Sequence, residues 1–301
     1  SKLLNDDNAI KIYEKMLVNS QTAVWQTPHG RIIKIFYSID PFTREGYAIN
    51  LANIFEKSAF KTDDQSRLFN NLVESSVMSI IEYIPKNSDK LFLTEYTSTW
   101  VMKPYGIFAP YIDTRHNENL GYSLRNNGAS INNDFLKYYH LNYSDFLVRK
   151  YQEKDYFETS YGILFYDYYS DFGKYQTHAS LNHQLAIVNY LFNSYIDTNN
   201  DKYYNLANTL LKTITNIGDK WIRDNGDLWY EIKLDETFEG NDYLDVTLED
   251  LIYTQELLYK INGKIDVIIL KLIDSKINYL KNNNYEISDY ILNKYNKIKK
   301  W

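Results

Sequence analysis

Between Asn225 and Asp245 the chain gathers groups that can move protons. Trp229-Tyr230-Glu231 follows the turn Asn225-Gly226, and Asp242 and Asp245 come after it. Two outcomes suit these residue types. Either Tyr230 packs inside and Glu231 sits on a solvated edge, or Trp229 stacks on a sugar ring while Glu231, with Tyr230 beside it, gives or takes a proton. His178 and His183 bracket the start of a helical segment in THASLNH. Being five residues apart, they do not share a helix face as an i, i+4 metal pair does, and no His-Glu-x-x-His occurs. No metal and no other cofactor is therefore expected, and one of these rings is expected at a rim as a proton shuttle or sugar contact. DTRHNENLGYSLRNNG, residues 113–128, shows no apolar period and reads as a long irregular loop, either a binding loop or a solvated one. As a binding loop it offers Arg115 and Arg125 to clamp a carboxylate in bidentate fashion, with Asp113 and His116 among the contacts. His29 and Arg31 form a weaker version of the same pattern. A glycoside hydrolase needs a second carboxylate beside Glu231, and Asp113 or Asp245 is the candidate. Otherwise Asp242 and Asp245 lie on the loop and Glu249 and Asp250 open the next helix, the usual acidic signature of a helix start. Trp25, Trp100, Tyr166, Tyr168 and Tyr169 either stack on pyranose faces or fill the core.

The elements that must carry these residues differ between the two halves. From Thr22 to about Ser180, turn signals such as Thr27-Pro28-His29-Gly30 and Lys103-Pro104-Tyr105-Gly106 punctuate short elements. Helices are expected there over 9–18, 66–84 and 144–152. Segments 31–37, 91–96 and 161–166 read as strands or buried helix turns. In the second half Leu181, Leu185, Val188, Phe192 and Tyr195 keep one helical face, residues 197–201 turn, and Tyr203, Leu206, Leu210, Ile214 and Ile217 make a second face. Leu248 to Leu258 and Ile265 to Leu280, separated by Asn262-Gly263-Lys264, repeat that hairpin. Amphipathic helix pairs recurring in this way bury their faces on one another, as in solenoids and αα toroids, and collect long loops on one rim.

Composition narrows the partners. A net charge of −6, from 33 basic and 39 acidic residues, excludes phosphate-backbone binding as the main task, so no nucleic-acid partner is expected. No run of about 18 apolar residues occurs, so no membrane span is expected. The absence of cysteine excludes disulfides and thiolate sites, a pattern that suits an exported or cell-surface bacterial protein and also a cytoplasmic one. The opening SKLLNDDN has no charged and apolar leader and reads either as a mature terminus left after processing or simply as the point where the chain starts. The 30 tyrosines sit beside abundant Asn, Lys and Ile, the signature of A/T-rich codon drift. No glycine-rich phosphate loop, Rossmann fingerprint or Gly-x-Ser-x-Gly elbow appears.

SLNHQLAIVNYLFNSYIDTNNDKYYNLANTLLKTI, followed by DLWYEIKLDETFEGNDYLDVTLEDLIYTQELLYKINGK, resembles the carboxy-terminal αα-barrel domain of the D-glucuronyl C5-epimerases over about residues 180–263. The resemblance implies a mainly α, αα-hairpin toroid, a complete or incomplete α/α barrel. It is expected as a single domain over 1–301, with hairpins clearest in 181–296 and irregular or short-stranded insertions in the first half. It also implies an acidic polysaccharide or oligosaccharide as the ligand. Inversion at C5 of a uronic acid needs a base, a way to neutralise the adjacent carboxylate and a proton donor. The resemblance reaches Trp229-Tyr230-Glu231 and implies acid–base work for Glu231 and Tyr230; His178 beside them, and Trp229, His183, Arg115, Arg125, His116, Asp113 and Asp245 as substrate contacts, are expected from their residue types. Ile232-Lys233-Leu234 stand where the family has a second Glu and Tyr-Pro, and Thr247-Leu248 where it has Asn-Gly. A glycoside hydrolase or polysaccharide lyase on the same scaffold is the alternative, and a non-catalytic glycan- or protein-binding toroid is the third.

Overall fold

A computed structural model of the chain describes residues 24–26, 32–34, 84, 87–94, 97–130, 132–171 and 173–301. The helix expected over 9–18, most of that over 66–84, and His29 and Arg31 lie outside these residues. In chain order the elements are β1 (Val24–Gln26), β2 (Ile32–Lys34), α1 (Thr99–Tyr105), β3 (Ile112–Asp113), α2 (Thr114–Ser130), α3 (Asp134–Tyr139), α4 (Leu141–Gln152), β4 (Phe157–Thr159), β5 (Gly162–Leu164) and β6 (Tyr168–Tyr169). Then follow β7 (Ala179–Ser180), α5 (Leu181–Thr198), α6 (Asp201–Ile217), β8 (Trp229–Ile232), β9 (Phe238–Asn241), α7 (Val246–Asn262), α8 (Val267–Asn282) and α9 (Asp289–Ile298). The described residues form two compact units, one within 1–143 together with 168–176, the other of 144–167 and 177–301.

The first unit overturns one expectation. Residues 113–128, read above as a long irregular loop, either binding or solvated, fall instead almost wholly in helix α2 (Thr114–Ser130). The Asp113 carboxylate accepts the His116 N–H at 3.1 Å and so satisfies an orphan donor of the first turn. Leu120 and Leu124, one turn apart, bury against Leu136 and Tyr139, worth roughly 1.5–3 kcal/mol for each fully buried leucine. Asn117 bonds both the N–H and the C=O of Phe92, each at 2.8 Å. Gly128 marks close packing here, because a Cβ at that position would come 2.3 Å from the backbone nitrogen of Lys137 in α3. Two leucines carry the helical period, and the surrounding Asn and Arg hide it. Of the segment 91–96, the described residues 91–94 include a bridge from Thr94 to Tyr111.

The second unit contains the helical hairpins. Helix α5 ends on Asn199 in the left-handed conformation, and Asn200 caps α6 by accepting the Lys202 N–H. Helix α7 ends on Gly263 (φ 65°), and the Asp266 carboxylate caps α8 by accepting the N–H groups of Ile268 and Ile269. Every residue of α5 from Leu181 to Ser194 is buried, so its polar side chains need internal partners. Gln184 bonds the N–H and C=O of Phe165 at 2.9 and 2.8 Å. Asn189 accepts from the Thr254 hydroxyl, and Asn193 pairs with the Tyr253 hydroxyl, which ties α5 to α7.

Short strands occur in this half as well as in the first, because Trp-Tyr-Glu-Ile favours an extended backbone. Strand β8 lies between β7 and β9 in an antiparallel sheet. The three-residue connection Leu234-Asp235-Glu236 places Glu236 at φ 62° and is closed by the Lys233 N–H to Thr237 C=O bond at 2.9 Å. No helix among the described residues is long and apolar enough to cross a membrane.

Candidate functional site

Strand β8 delivers Glu231 to a buried cluster. In the β7–β8 register Ser180 lies opposite Glu231, and His178 directly precedes β7. His178 Nε2 stands 3.2 Å from Glu231 Oε2 and 3.1 Å from Asp167 Oδ2. One ring nitrogen thus faces two carboxylates, and its single N–H can serve either. Asp167 is sealed from solvent, whereas the Glu231 side chain keeps 11% of its surface exposed. The other Asp167 oxygen accepts the Ser180 N–H at 2.9 Å, and the Ser180 hydroxyl donates to the oxygen that faces His178. His183 Nδ1 stands 3.7 Å from Asp167 Oδ1. The backbone holds the same geometry, since the Asp167 N–H bonds the His178 C=O and Gln184 grips Phe165 two residues earlier.

Charges in this cluster hold one another. Burial raises the Asp167 pKa, but His183, His178 and the Ser180 hydroxyl outweigh it and hold the carboxyl below its ordinary range. Burial disfavours a charged His178 ring, yet Asp167 and then Glu231 lift its pKa above the ordinary value. Glu231 is itself raised, by burial first and by Asp167, against the opposing pull of His178. The result is an Asp167 held in its charged form, a His178 ring that takes a proton more readily than usual and a neighbouring carboxyl whose affinity for protons is increased, an arrangement suited to acid–base work. Tyr230 is buried, its ring 6.0 Å from that of His178. Burial, followed by the Asp167 charge, keeps its phenol protonated.

The remaining site residues divide by location. Trp229 and Glu231 share one face of β8 by strand alternation, opposite Asn241 and Glu239 of β9. The Arg223 guanidinium lies 4.8 Å from the centre of the Trp229 ring and donates to Asn241 at 2.6 Å. Beneath this hairpin the fully buried Lys276 of α8 bonds Asp227 at 2.6 Å and Asp242 at 2.8 Å, and Thr247 donates to Asp242. Asp227 precedes β8 by two residues and Asp242 directly follows β9, so one buried ammonium closes the base of the hairpin. Asp242, expected on the loop that leads to the next helix, is thereby a structural partner of Lys276. Asp245 is exposed before α7 and makes no side-chain capping bond.

Asp113, Arg115, His116 and Arg125 belong to the first unit. His116 stands 3.0 Å from Asp113 and 3.2 Å from the Thr94 hydroxyl, and Arg115 pairs with Glu118 at 3.3 Å. Arg115 and Arg125 are ten residues apart on α2, a rise of about 15 Å, so the two do not meet on one carboxylate. The structure brings Glu231, Tyr230, His178 and His183 together. It adds Asp167 and Ser180, for which the sequence offers only a carboxylate among the tyrosines of 166–169.

No family model matches the chain, and no curated protein sequence matches it. Among solved structures it is similar to a GH76 alpha-mannanase of Bacteroides thetaiotaomicron, with TM-score 0.58, 12% identity, and coverage of 94% of this chain and 72% of that one. It is also similar to cellobiose 2-epimerase from Bacillus thermoamylovorans, with TM-score 0.56, 13% identity, and coverage of 96% and 73%. The fold is an αα-toroid. At these identities the likeness is one of fold, and the toroid's chemistry has to be argued from its own residues. Among the described residues no group of three or more His, Asp or Glu side chains is arranged to hold a metal ion.

Proposed function

We propose that the toroid is a carbohydrate-active enzyme that inverts C5 of uronic acid residues in an acidic glycan. The observation that carries this reading is the Glu231–His178–Asp167 relay, in which one partly open carboxyl is backed by an ion pair sealed from solvent. Glu231 takes the C5 proton, and the electron pair of the broken C–H bond moves into the adjacent carboxylate. A proton returns to the other face of C5 from solvent, while Tyr230, turned to the opposite face of β8 by strand alternation, packs with its ring 6.0 Å from that of His178. His178, charged through Asp167, steadies Glu231 as its protonation changes. The similar structures support a sugar ligand, since one is an alpha-mannanase and the other a cellobiose epimerase. The test is solvent deuterium exchange at C5 of a uronic acid glycan. Wild-type protein is expected to exchange and Glu231→Gln to lose exchange by at least about 100-fold; equal exchange by the variant removes Glu231 from the mechanism.

A second reading, a glycoside hydrolase, has one observation in its favour. Glu239 lies directly opposite Glu231 in the β8–β9 register, and cross-strand Cβ atoms stand about 4.5–5.5 Å apart. A retaining mechanism asks for two carboxyls about 5–5.5 Å apart, which side chains on facing Cβ atoms can adopt once Glu239 leaves Lys233. Asp167, being sealed, cannot serve as that second group. Hydrolysis produces new reducing ends, and Glu239→Gln removes them.

A further inference from the structure

The reading above leaves open which side chain meets the substrate's own carboxylate, and the face of β8 that carries Glu231 contains a cation the mechanism does not use. We infer that Lys233 is the carboxylate-recognition residue of this site and that Glu239 occupies it in the free protein; this rests on the proposed acidic-glycan reading. Lys233 follows Glu231 by two residues. The Lys233 N–H to Thr237 bond continues the ladder past β8, so strand alternation aligns Lys233 with Glu231 and Trp229. Its ammonium pairs with Glu239, the residue opposite Glu231. Both members of the pair are open to solvent, with 39% and 53% of their side-chain surface exposed, in contrast to the 11% of Glu231.

A lysine paired so openly can exchange its partner. Exposed pairs are worth little, so replacing one carboxylate by another on the ammonium is an inexpensive step. The surroundings fit a sugar acid. Trp229, held by Arg223, offers a ring on the same face two residues before Glu231, and Asn241 lies across from it. The hairpin that presents them is fixed at both ends: Glu236 at its tip accepts the N–H and hydroxyl of Ser160 at 2.7 and 2.5 Å, and Lys276 joins Asp227 and Asp242 at its base. A carboxylate on Lys233 is thereby held near Glu231, where its electron-withdrawing power acidifies the adjacent C–H.

The experiment compares calorimetric binding of a glucuronate hexasaccharide with that of its carboxyl-reduced counterpart, for wild type, Lys233→Met, Lys233→Arg and Glu239→Gln. Lys233→Met is expected to weaken the acidic ligand about tenfold and to leave the neutral one unchanged. Lys233→Arg retains most of the difference, and Glu239→Gln tightens the acidic ligand by releasing Lys233. Equal loss on both ligands, unchanged binding of the acid by Lys233→Met, or no binding of the acid by wild type overturns the inference. Charge-selective binding that depends on Lys233, without deuterium exchange at C5 by wild type, keeps the inference and rejects the epimerase reading instead.

Discussion

At the scale of single residues, the Glu231–His178–Asp167 cluster sets the pH response. In the proposed reaction Glu231 is the base and must be ionised, and its pKa lies above the ordinary value of 4.5, through burial first. Catalysis is therefore expected to rise with pH along a limb displaced above that value. His178 is the main influence holding the Glu231 pKa down, so His178→Gln is expected to move the limb to higher pH as well as to lower the plateau. A kcat/KM profile measures this, and a limb that stays in place separates the two groups. The same groups contribute to stability. Asp167 is depressed below its ordinary 3.8, so its contribution is present above that value and is lost as pH falls through the folded pKa. His178 is raised above 6.5, so its contribution is complete below that value and is lost as pH rises through the folded pKa. Between these two limits the buried pair contributes fully.

At the scale of elements, glycines and amides decide where the chain packs. Gly128→Ala forces a methyl against the backbone of α3, where nothing flexible can yield. A loss of about 1–3 kcal/mol is expected in denaturant unfolding; an unchanged midpoint shows that α2 and α3 can separate at little cost. This contact also explains why α2 is not legible in the sequence. Its apolar stripe is reduced to Leu120 and Leu124, and its stability comes from long-range partners, Phe92 for Asn117 and Lys137 for Gly128. The hairpins α5–α6 and α7–α8 are legible because dense apolar stripes and local caps mark them, down to the turn at Asn199-Asn200 and the break at Gly263. Glu231, Tyr230 and His178 were legible as a group of chemical types. Asp167, Lys233, Glu239 and Lys276 were not, because strand register or partners distant in sequence bring each of them to its neighbours.

At the scale of the molecule, buried contacts are unevenly distributed. Helix α5 is enclosed from Leu181 to Ser194, whereas α9 buries Ile291 and Ile298 alone. Amide hydrogen exchange is expected to be slowest in α5, limited by global unfolding, and much faster in α9; comparable protection in the two contradicts this ranking. The enclosure has a practical consequence for chemical labelling. His140, His178 and His183 are all buried, while the His116 side chain keeps 18% of its surface open. Among these four, an acylating reagent reaches the His116 imidazole first, and the ring beside Glu231 becomes accessible only when the surrounding structure opens. Turnover that survives such treatment reports how well His178 is shielded and leaves its part in the chemistry untouched.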